Sequence, residues 1–439
     1  MKKVALVSLG CAKNLVDSEV MLGHLAQKNY TLVADLYEAD AIVVNTCGFI
    51  QPARQEALDA LNDAIEAKRA AQDKKIVAAG CYVERNKHEL ASQFPEVDYW
   101  IGINDFDKIV SVLEEIPYQS SSQCFLYNHL SPRILSTPSP WAYIKISEGC
   151  SHRCSFCAIP LIKGPYRSRP IQSIIKESTQ LSSRGVKEIN LISQDSTYYG
   201  HDLGLKNGLT TLLEEMLKVK GVEWIRVLYG YPEEISDSLL EIMQEKKICS
   251  YLDIPFQHAD SYLIKQMRRG LDAKRALRLI QKIRSKLPDV ALRTSLIVGF
   301  PGEGNQEFGK LLDFVKAVRF DHLGVFTYSP EEGTDCFSLG DPIKESTKLR
   351  RKDKILQVQA ELSYQNNERF LNQKVDVLIE GHLKDEPHLL MGRTQRQAPE
   401  VDGVVFIEED QSQDIVIGSI QNVEITDRDI YDLYAKGIK

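Results

Sequence analysis

The sequence lacks any run of eighteen apolar residues, so it contains no segment long enough to cross a membrane as a helix. Near Met1 it also lacks an apolar segment followed by a small-residue cleavage site, which argues against export. The formal net charge of −7 gives no bulk attraction to nucleic acid or to anionic membranes, although a local basic patch is compatible with it. We therefore expect a cytoplasmic protein.

Nine cysteines are present. In a chain without an export signal they are expected to be metal ligands or catalytic thiols, because disulfides do not persist in reducing compartments. The 439 residues are too many for one ordinary core, which predicts two or three domains. With 43% apolar and 26% charged residues, the composition is that of a globular protein.

Three cysteines, Cys150, Cys154 and Cys157, form a C-x3-C-x2-C motif directly after an apolar run, and no fourth cysteine follows nearby. A short loop of this kind can bind three irons of a cubane 4Fe–4S cluster and leaves the fourth iron open to another ligand. Phe156, between the last two cysteines, is expected to pack against that ligand.

The alternative is a zinc knuckle that staples a non-enzymatic scaffold or an RNA-binding module. Zinc sites usually add a second C-x2-C pair or histidines, and this loop has neither. His152 could complete such a site, but it is expected to point to solvent. The spacing therefore favours iron and sulfur over zinc.

Residues 1–117 alternate short apolar runs with helical patterns, which predicts a parallel sheet wound with helices. The runs Val4–Leu9, Ala41–Val44 and Ile76–Ala79 are expected strands, and a cysteine beside a glycine follows each one. Ligands of such sheets bind outside the carboxyl ends of the strands. We therefore expect a second converging set, Cys11, Cys47 and Cys81. The alternative is three small buried residues, since free cysteine often behaves as a core hydrophobe.

Residues 118–135 are expected to be a linker, because serine and proline are frequent between Gln119 and Pro140. Cys124 lies in this stretch without a companion, and Cys249 and Cys336 are equally isolated further on.

Between residues 136 and 368, strand and helix patterns alternate six times, which predicts a partial (β/α)6 barrel whose functional face is formed by the loops after the strands. The strand candidates are Trp141–Ser147, Glu188–Ser193, Trp224–Gly230, Tyr251–Phe256, Leu292–Phe300 and His322–Ser329. The loops after them carry residues expected to line a nucleotide: Gln194, Asp195, Tyr231, Gln257, His258 and Gly299 through Glu303. Taken singly, His258 is interpreted as a buried or capping residue.

Residues 370–437 contain short β segments separated by turn residues, which predicts a small antiparallel β-barrel. Its expected strands are Val375–Ile379, Leu389–Gly392, Gly403–Ile407 and Ile415–Ile425. In the charged helix before it, the run Lys348–Lys352 is interpreted as a solvated face rather than an RNA patch.

The C-x3-C-x-aromatic-C pattern resembles the radical S-adenosylmethionine (radical SAM) superfamily. With both cysteine sets in view, nearly the whole chain resembles the radical SAM methylthiotransferases. Ser8–Glu19 is similar to the opening signature of the RimO-type branch. Gly392–Thr394, Ala398–Gly403 and Tyr431–Tyr434 are similar to its terminal TRAM domain.

The sequence departs from the usual family pattern at three positions. Ala12 stands where proline is usual, Lys163 where arginine is usual, and Ser193 where glycine is usual. None of the three is a cysteine, so the expected cluster ligands are intact.

The resemblance implies two 4Fe–4S clusters, S-adenosylmethionine as radical source and methyl donor, and an electron donor such as flavodoxin or ferredoxin. The catalytic cluster would bind Cys150, Cys154 and Cys157, and the sulfur-supplying cluster Cys11, Cys47 and Cys81. The cofactor-binding residues would include Phe156, Gln194, Asp195 and Gly299.

RimO-type enzymes modify the β-carbon of one aspartate in small-subunit ribosomal protein S-twelve, whereas the related MiaB type modifies an isopentenyl-adenosine in tRNA. Residues 372–439 hold four Lys and three Arg against fourteen Asp and Glu, a net charge of −7. Acidic stretches such as Glu408–Asp410 and Asp427–Asp429 would repel a phosphate backbone and attract a basic protein. We therefore predict the ribosomal protein as substrate, with tRNA as the alternative; a solvated acidic surface without a partner is also compatible with this charge.

Overall fold

The computed structural model describes residues 2–71, 73–386, 388–408 and 416–437. The first part of the chain forms a five-stranded parallel sheet of order β2-β1-β3-β4-β5. Its elements are β1 (Lys3–Ser8), α1 (Ala12–Gln27), β2 (Thr31–Leu32), β3 (Ala41–Thr46), α2 (Gln51–Ala70), β4 (Lys75–Gly80), α3 (Cys81–Gln93), β5 (Tyr99–Ile101) and α4 (Ile109–Leu113).

Helices cover both faces of this sheet, which explains why its central strands are continuous apolar runs. In β3 every residue is buried, and neighbours such as Ile42 and Val43 belong to separate apolar cores on opposite faces. The predicted wound parallel sheet is confirmed. The sequence pattern missed the two- and three-residue edge strands β2 and β5, which are too short to show a period.

Residues 114–140 contain no helix or strand, yet they pack closely against both neighbouring parts of the chain. Tyr127 in this segment is 1% exposed. Arg133 pairs with Glu19 of α1 at 2.6 Å and with Glu177 of the following core at 2.8 Å. The segment therefore holds α1 against the core.

The core has six parallel strands in two three-stranded sheets, β10-β9-β6 and β11-β12-β13, and a backbone bridge between Ile225 and Ile248 continues from β10 toward β11. The predicted six-strand partial barrel is confirmed. Its elements are β6 (Trp141–Lys145), β7 (Ser147–Glu148), α5 (Ile159–Lys163), β8 (Arg167–Ser168), α6 (Ile171–Ser183), β9 (Glu188–Ile192), α7 (Gly208–Leu217), β10 (Trp224–Val227), α8 (Asp237–Ile242), β11 (Tyr251–Asp253), α9 (Ser261–Gln266), α10 (Ala273–Lys286), β12 (Ala291–Val298), α11 (Asn305–Val318), β13 (His322–Thr327) and α12 (Glu345–Asn367).

The interpretation of Lys348–Lys352 as a solvated face is wrong for two of its residues. Lys348 is 1% exposed and donates to the Tyr328 carbonyl at 2.9 Å, and Arg351 pairs with Glu303 at 2.9 Å. Arg351 therefore contacts the loop after β12, and Lys348 contacts the loop after β13. The interpretation of His258 is confirmed, because it is buried and its Nδ1 accepts from the backbone N–H of Asp260.

The terminal β-barrel is closed in the order β14-β15-β16-β18-β17. Its strands are β14 (Lys374–His382), β15 (Leu389–Arg393), β16 (Val405–Glu408), β17 (Ile420–Arg428) and β18 (Leu433–Gly437). The predicted small barrel is confirmed, with two differences: the strand β18 was not among the four predicted, and β16 and β18 pair in parallel. Ile415, the predicted start of the last strand, lies outside the described residues.

This barrel packs on the end of the core where the strands begin. Arg393 donates to Glu188, the first residue of β9, at 2.6 Å, and Tyr251, the first residue of β11, donates to Asp402 at 2.7 Å. The terminal barrel therefore covers the end of the core opposite the loops that follow the strands. Among the described residues, no helix is long and apolar enough to cross a bilayer.

Candidate active site

The C-x3-C-x2-C loop connects β7 to α5 and is held by backbone hydrogen bonds. Gly149 precedes the first cysteine with a φ of 79°, and a Cβ there would lie 2.2 Å from the Pro165 carbonyl oxygen, so the position requires glycine. The Cys150 N–H donates to Gly164 O, and the Ser155 hydroxyl donates to Gln266 O at 2.6 Å. The loop therefore presents its thiols in a fixed arrangement.

The three thiols of this loop lie close enough to influence one another. Burial, with a smaller contribution from the charge of Cys154, raises the pKa of Cys150 to about 11 and that of Cys157 to about 12. Neutral thiols lose their protons when a cation binds, so loading this set with metal would release protons.

The second cysteine set lies at the carboxyl edge of the N-terminal sheet. Cys11 follows β1, Cys47 follows β3, and Cys81 begins α3 directly after β4. Burial, with a smaller contribution from the charge of Cys11, raises the pKa of Cys47 to about 11 and that of Cys81 to about 12. Gly10 has a φ of 88°, and a Cβ there would meet Cys47 Sγ at 2.8 Å. The predicted convergence of the three strand ends is therefore found.

Exposure separates these six cysteines from the remaining three. The six are exposed or half-buried, whereas Cys124, Cys249 and Cys336 are buried. Across the described part of the chain, no group of three or more His, Cys, Asp and Glu side chains is arranged to hold one metal ion. A cubane cluster places each thiolate on a different iron. The donor chemistry of each set, three accessible thiols converging from short loops, fits such a cluster.

Four buried charges lie between the two cysteine sets. Lys145 of β6 contacts Asp17 of α1 at 2.5 Å and Glu148 at 2.6 Å, and Lys163 lies 3.7 and 3.6 Å from the same two carboxylates. Burial alone would raise the pKa of Glu148, but the two ammonium groups outweigh it and hold the pKa at about 2. The Lys163 charge also opposes the rise in the pKa of Cys81. We call Asp17, Lys145, Glu148 and Lys163 the charge cluster.

A second group of side chains surrounds Cys154. Arg269 Nη1 donates to Cys154 Sγ at 3.7 Å, and its guanidinium lies 3.9 Å from the centroid of the Tyr231 ring. The His152 ring stacks on Tyr231 with a centroid distance of 3.8 Å and contacts Asp195 Oδ2 at 2.5 Å. The expectation that His152 points to solvent is wrong, because a carboxylate and an aromatic face hold its ring in the site.

The remaining predicted residues lie in loops at the end of the core where the strands stop, which we call the mouth. Gln194 donates to Glu148 at 3.1 Å, and the Gly299 N–H donates to Glu303 at 2.7 Å. Phe156 packs against an apolar group that includes Leu263 and Phe300. Sequence reasoning missed Arg269 and the grouping of the charge cluster, since Lys, Arg, Asp and Glu residues without a spacing motif do not indicate their partners.

Comparison with known families matches three consecutive segments. Residues 3–102 match Uncharacterized protein family UPF0004, residues 144–315 match the Radical SAM superfamily, and residues 373–438 match the TRAM domain.

Relatives are similar over nearly the whole length. A protein of Pelobacter propionicus named "Ribosomal protein uS12 methylthiotransferase RimO" is 45% identical, over 98% of this chain and 97% of its own. The protein of the same name from Clostridioides difficile is 43% identical, over 99% of this chain and 98% of its own.

Solved structures share the fold at low identity. The radical S-adenosylmethionine methyltransferase TsrM from Kitasatospora setae, with cobalamin and a 4Fe–4S cluster bound, has a TM-score of 0.56 at 14% identity and covers 76% of this chain and 77% of its own. The cobalamin-dependent S-adenosylmethionine radical enzyme OxsB has a TM-score of 0.50 at 14% identity and covers 81% of this chain and 56% of its own.

Proposed function

Because this chain belongs to the RimO-type radical SAM methylthiotransferases, we propose that it replaces one hydrogen on the β-carbon of a specific aspartate of ribosomal protein uS12 by a methylthio group. The chain is a radical SAM transferase. Such a β-carbon is not acidic enough for a side-chain base, so its C–H bond must be broken by hydrogen-atom abstraction. We place the reaction in the cytoplasm, with a flavodoxin or ferredoxin as electron donor.

In this proposal Cys150, Cys154 and Cys157 hold one 4Fe–4S cluster, and Cys11, Cys47 and Cys81 hold the other. When bound, these clusters and S-adenosylmethionine would supply three things: the sulfur, the methyl group, and the radical that abstracts the hydrogen atom. The observation that carries the proposal is that each of two three-thiol sets lies where strands end, and that the charge cluster links α1 beside one set to the loop of the other.

The chain's own residues position the reacting groups. The charge cluster ties α1, which begins beside Cys11, to β6 and to the loop of Cys150, so it fixes the distance between the two sets. Gln194, Asp195, Gly299 and Phe156 are proposed to line the cofactor at the carboxyl ends of the core strands. In this proposal one cluster is held by the domain of residues 1–117 and the other by the domain of residues 136–368. Residues 118–135 join these two domains.

Residues 370–437 are proposed to dock the substrate protein by charge. Several of their acids are engaged internally, such as Glu380 with Arg393 and Asp402 with Tyr251. Glu408, Asp427 and Asp429 remain exposed; Glu409 and Asp410 lie outside the described residues. Exposed carboxylates favour encounter with a basic ribosomal protein over a phosphate backbone.

Mass spectrometry of uS12 and of tRNA, from cells with and without this protein, tests the proposal. We expect methylthiolated aspartate in uS12 only when the protein is present, and no dependent change in tRNA. A methylthioadenosine in tRNA that depends on the protein would replace this function with the tRNA alternative. Anaerobic reconstitution should give about eight irons per chain, and stoichiometric zinc without iron would contradict it.

A further inference from the structure

Lys13 lies in the first turn of α1, two residues after Cys11, and only 9% of it is exposed. Its Nζ lies 3.4 Å from the centroid of the Tyr229 ring, which belongs to the loop after β10 in the core. Lys13 therefore reaches from the N-terminal sheet into the mouth of the barrel.

No carboxylate among the described residues forms an ion pair with Lys13. Asp253 is held by Arg293 at 3.0 Å and by the backbone N–H of Tyr229 at 3.2 Å. The other buried lysines of the mouth, Lys145 and Lys163, have Asp17 and Glu148 as partners. Burial opposes the charge of Lys13, whereas Tyr229, Cys11 and Asp253 together raise its pKa. None of these groups forms an ion pair with the ammonium group, and an aromatic face attracts a cation without neutralising it. A buried cation without an anion in direct contact is costly, so a bound anion would complete this site.

The position of Lys13 relates it to both cysteine sets. Tyr229, below its ammonium group, is two residues from Tyr231, which contacts Arg269 and His152 beside Cys154. On its own helix, Lys13 is two residues from Cys11. The ammonium group therefore lies near Cys11 and beside the loop that carries Tyr231. The carbon that loses hydrogen and gains sulfur must be held close to both sets.

We propose that Lys13 binds the side-chain carboxylate of the target aspartate and so determines the specificity for aspartate. This inference rests on the proposed function. The carboxylate carbon is bonded directly to the β-carbon, so a charge-assisted hydrogen bond from Lys13 to a carboxylate oxygen holds a point two bonds from the reacting atom. Asparagine has the same shape without the charge and would bind the site more weakly.

Binding of the reconstituted, full-length enzyme to purified uS12 and to uS12 with the target aspartate changed to asparagine tests the assignment without turnover. The parent enzyme should prefer the aspartate form about ten- to a hundredfold. Lys13→Met and Lys13→Gln should lose that preference, and Lys13→Arg should keep part of it. Lys28→Met, an exposed lysine at the other end of α1, is the matched control and should keep all of it.

A preference that persists in both neutral variants overturns the role of Lys13 while the proposed function stands. Failure of the parent enzyme to bind or modify uS12 overturns the proposed function instead. The affinity for S-adenosylmethionine should be unchanged in Lys13→Met. If it falls with the aspartate preference retained, Lys13 serves the methionine carboxylate of the cofactor, and the assignment to substrate is wrong.

Discussion

Arg269 Nη1 donates a hydrogen bond to Cys154 Sγ across 3.7 Å, and Tyr231 supports the guanidinium from below at 3.9 Å. Hydrogen bonds and positive charge at a ligand sulfur stabilise the reduced form of an iron–sulfur cluster. In the proposed enzyme, Arg269 therefore makes the cluster of the core easier to reduce.

Replacement of Arg269 by methionine should lower the midpoint potential of this cluster. If the hydrogen bond is stronger by about 1 kcal/mol in the reduced cluster than in the oxidised one, its loss shifts the potential by roughly 40 mV for one electron. A redox titration followed by electron paramagnetic resonance measures the shift. Arg268→Met is the matched control, because Arg268 is exposed and pairs with Asp335. Equal shifts in both variants would remove the role given to Arg269.

Substitution of a cysteine in one set should impair a different step of the reaction from substitution of a cysteine in the other. Cys154→Ala should abolish the reductive cleavage of S-adenosylmethionine, whereas Cys47→Ala should retain some cleavage and block methylthio transfer. Anaerobic assays of 5′-deoxyadenosine and of modified uS12 distinguish the two. Cys249→Ala, at a buried cysteine outside both sets, should keep its full iron content. Normal 5′-deoxyadenosine formation by Cys154→Ala would show that the roles of the two sets are wrongly assigned.

Glu148→Gln should destabilise the fold, because it leaves two buried ammonium groups with one carboxylate. We expect a loss of about 3 kcal/mol in the free energy of unfolding, measured by urea denaturation of the metal-free protein. Glu215→Gln breaks an exposed pair with Lys218 and should change stability little. A Glu148→Gln variant as stable as the control would contradict the charge cluster.

The lowered pKa of Glu148 predicts that the free energy of unfolding depends on pH. The folded state holds the pKa of Glu148 at about 2, below its ordinary value of 4.5. The unfolded chain therefore binds the proton more readily, and the contribution of Glu148 is complete above pH 4.5 and lost as the pH falls toward 2. Unfolding curves of the parent and of Glu148→Gln should converge over this range. A difference that stays constant down to pH 2 would exclude this linkage.

Reversal of the acidic stretch Glu408–Asp410 should weaken modification of uS12. Lysine at Glu408, Glu409 and Asp410 should raise KM with little change in kcat, and the parent should show a steep salt dependence. Reversal of Glu214, Glu245 and Glu361, which are exposed on the core, adds the same charge elsewhere as the control. Similar effects of the two triple reversals would mean that net charge, rather than the barrel surface, governs docking.

The strands and the two cysteine sets could be predicted from the sequence because both leave local signals. Ile42–Val44 is a continuous buried run, and each cysteine of the N-terminal set follows such a run. The partners of charged residues could not be predicted. Lys145 and Asp17 are 128 residues apart and meet only because α1 packs on β6. His152 was misjudged for the same reason, since Asp195 and Tyr231 come from two other loops.

The terminal barrel and the cysteine loops lie at opposite ends of the core strands, and β12, with eight residues, spans about 26 Å between these ends. A partner gripped by the barrel must extend along the core to reach the mouth, so its own chain acts as the tether. Tethering of this kind replaces bulk concentration by an effective concentration on the order of millimolar, which depends on the distance between the gripped surface and the modified residue. The distance between the docked surface and the target residue would then determine which residue is modified. An aspartate at the wrong distance from the docked surface would remain unmodified.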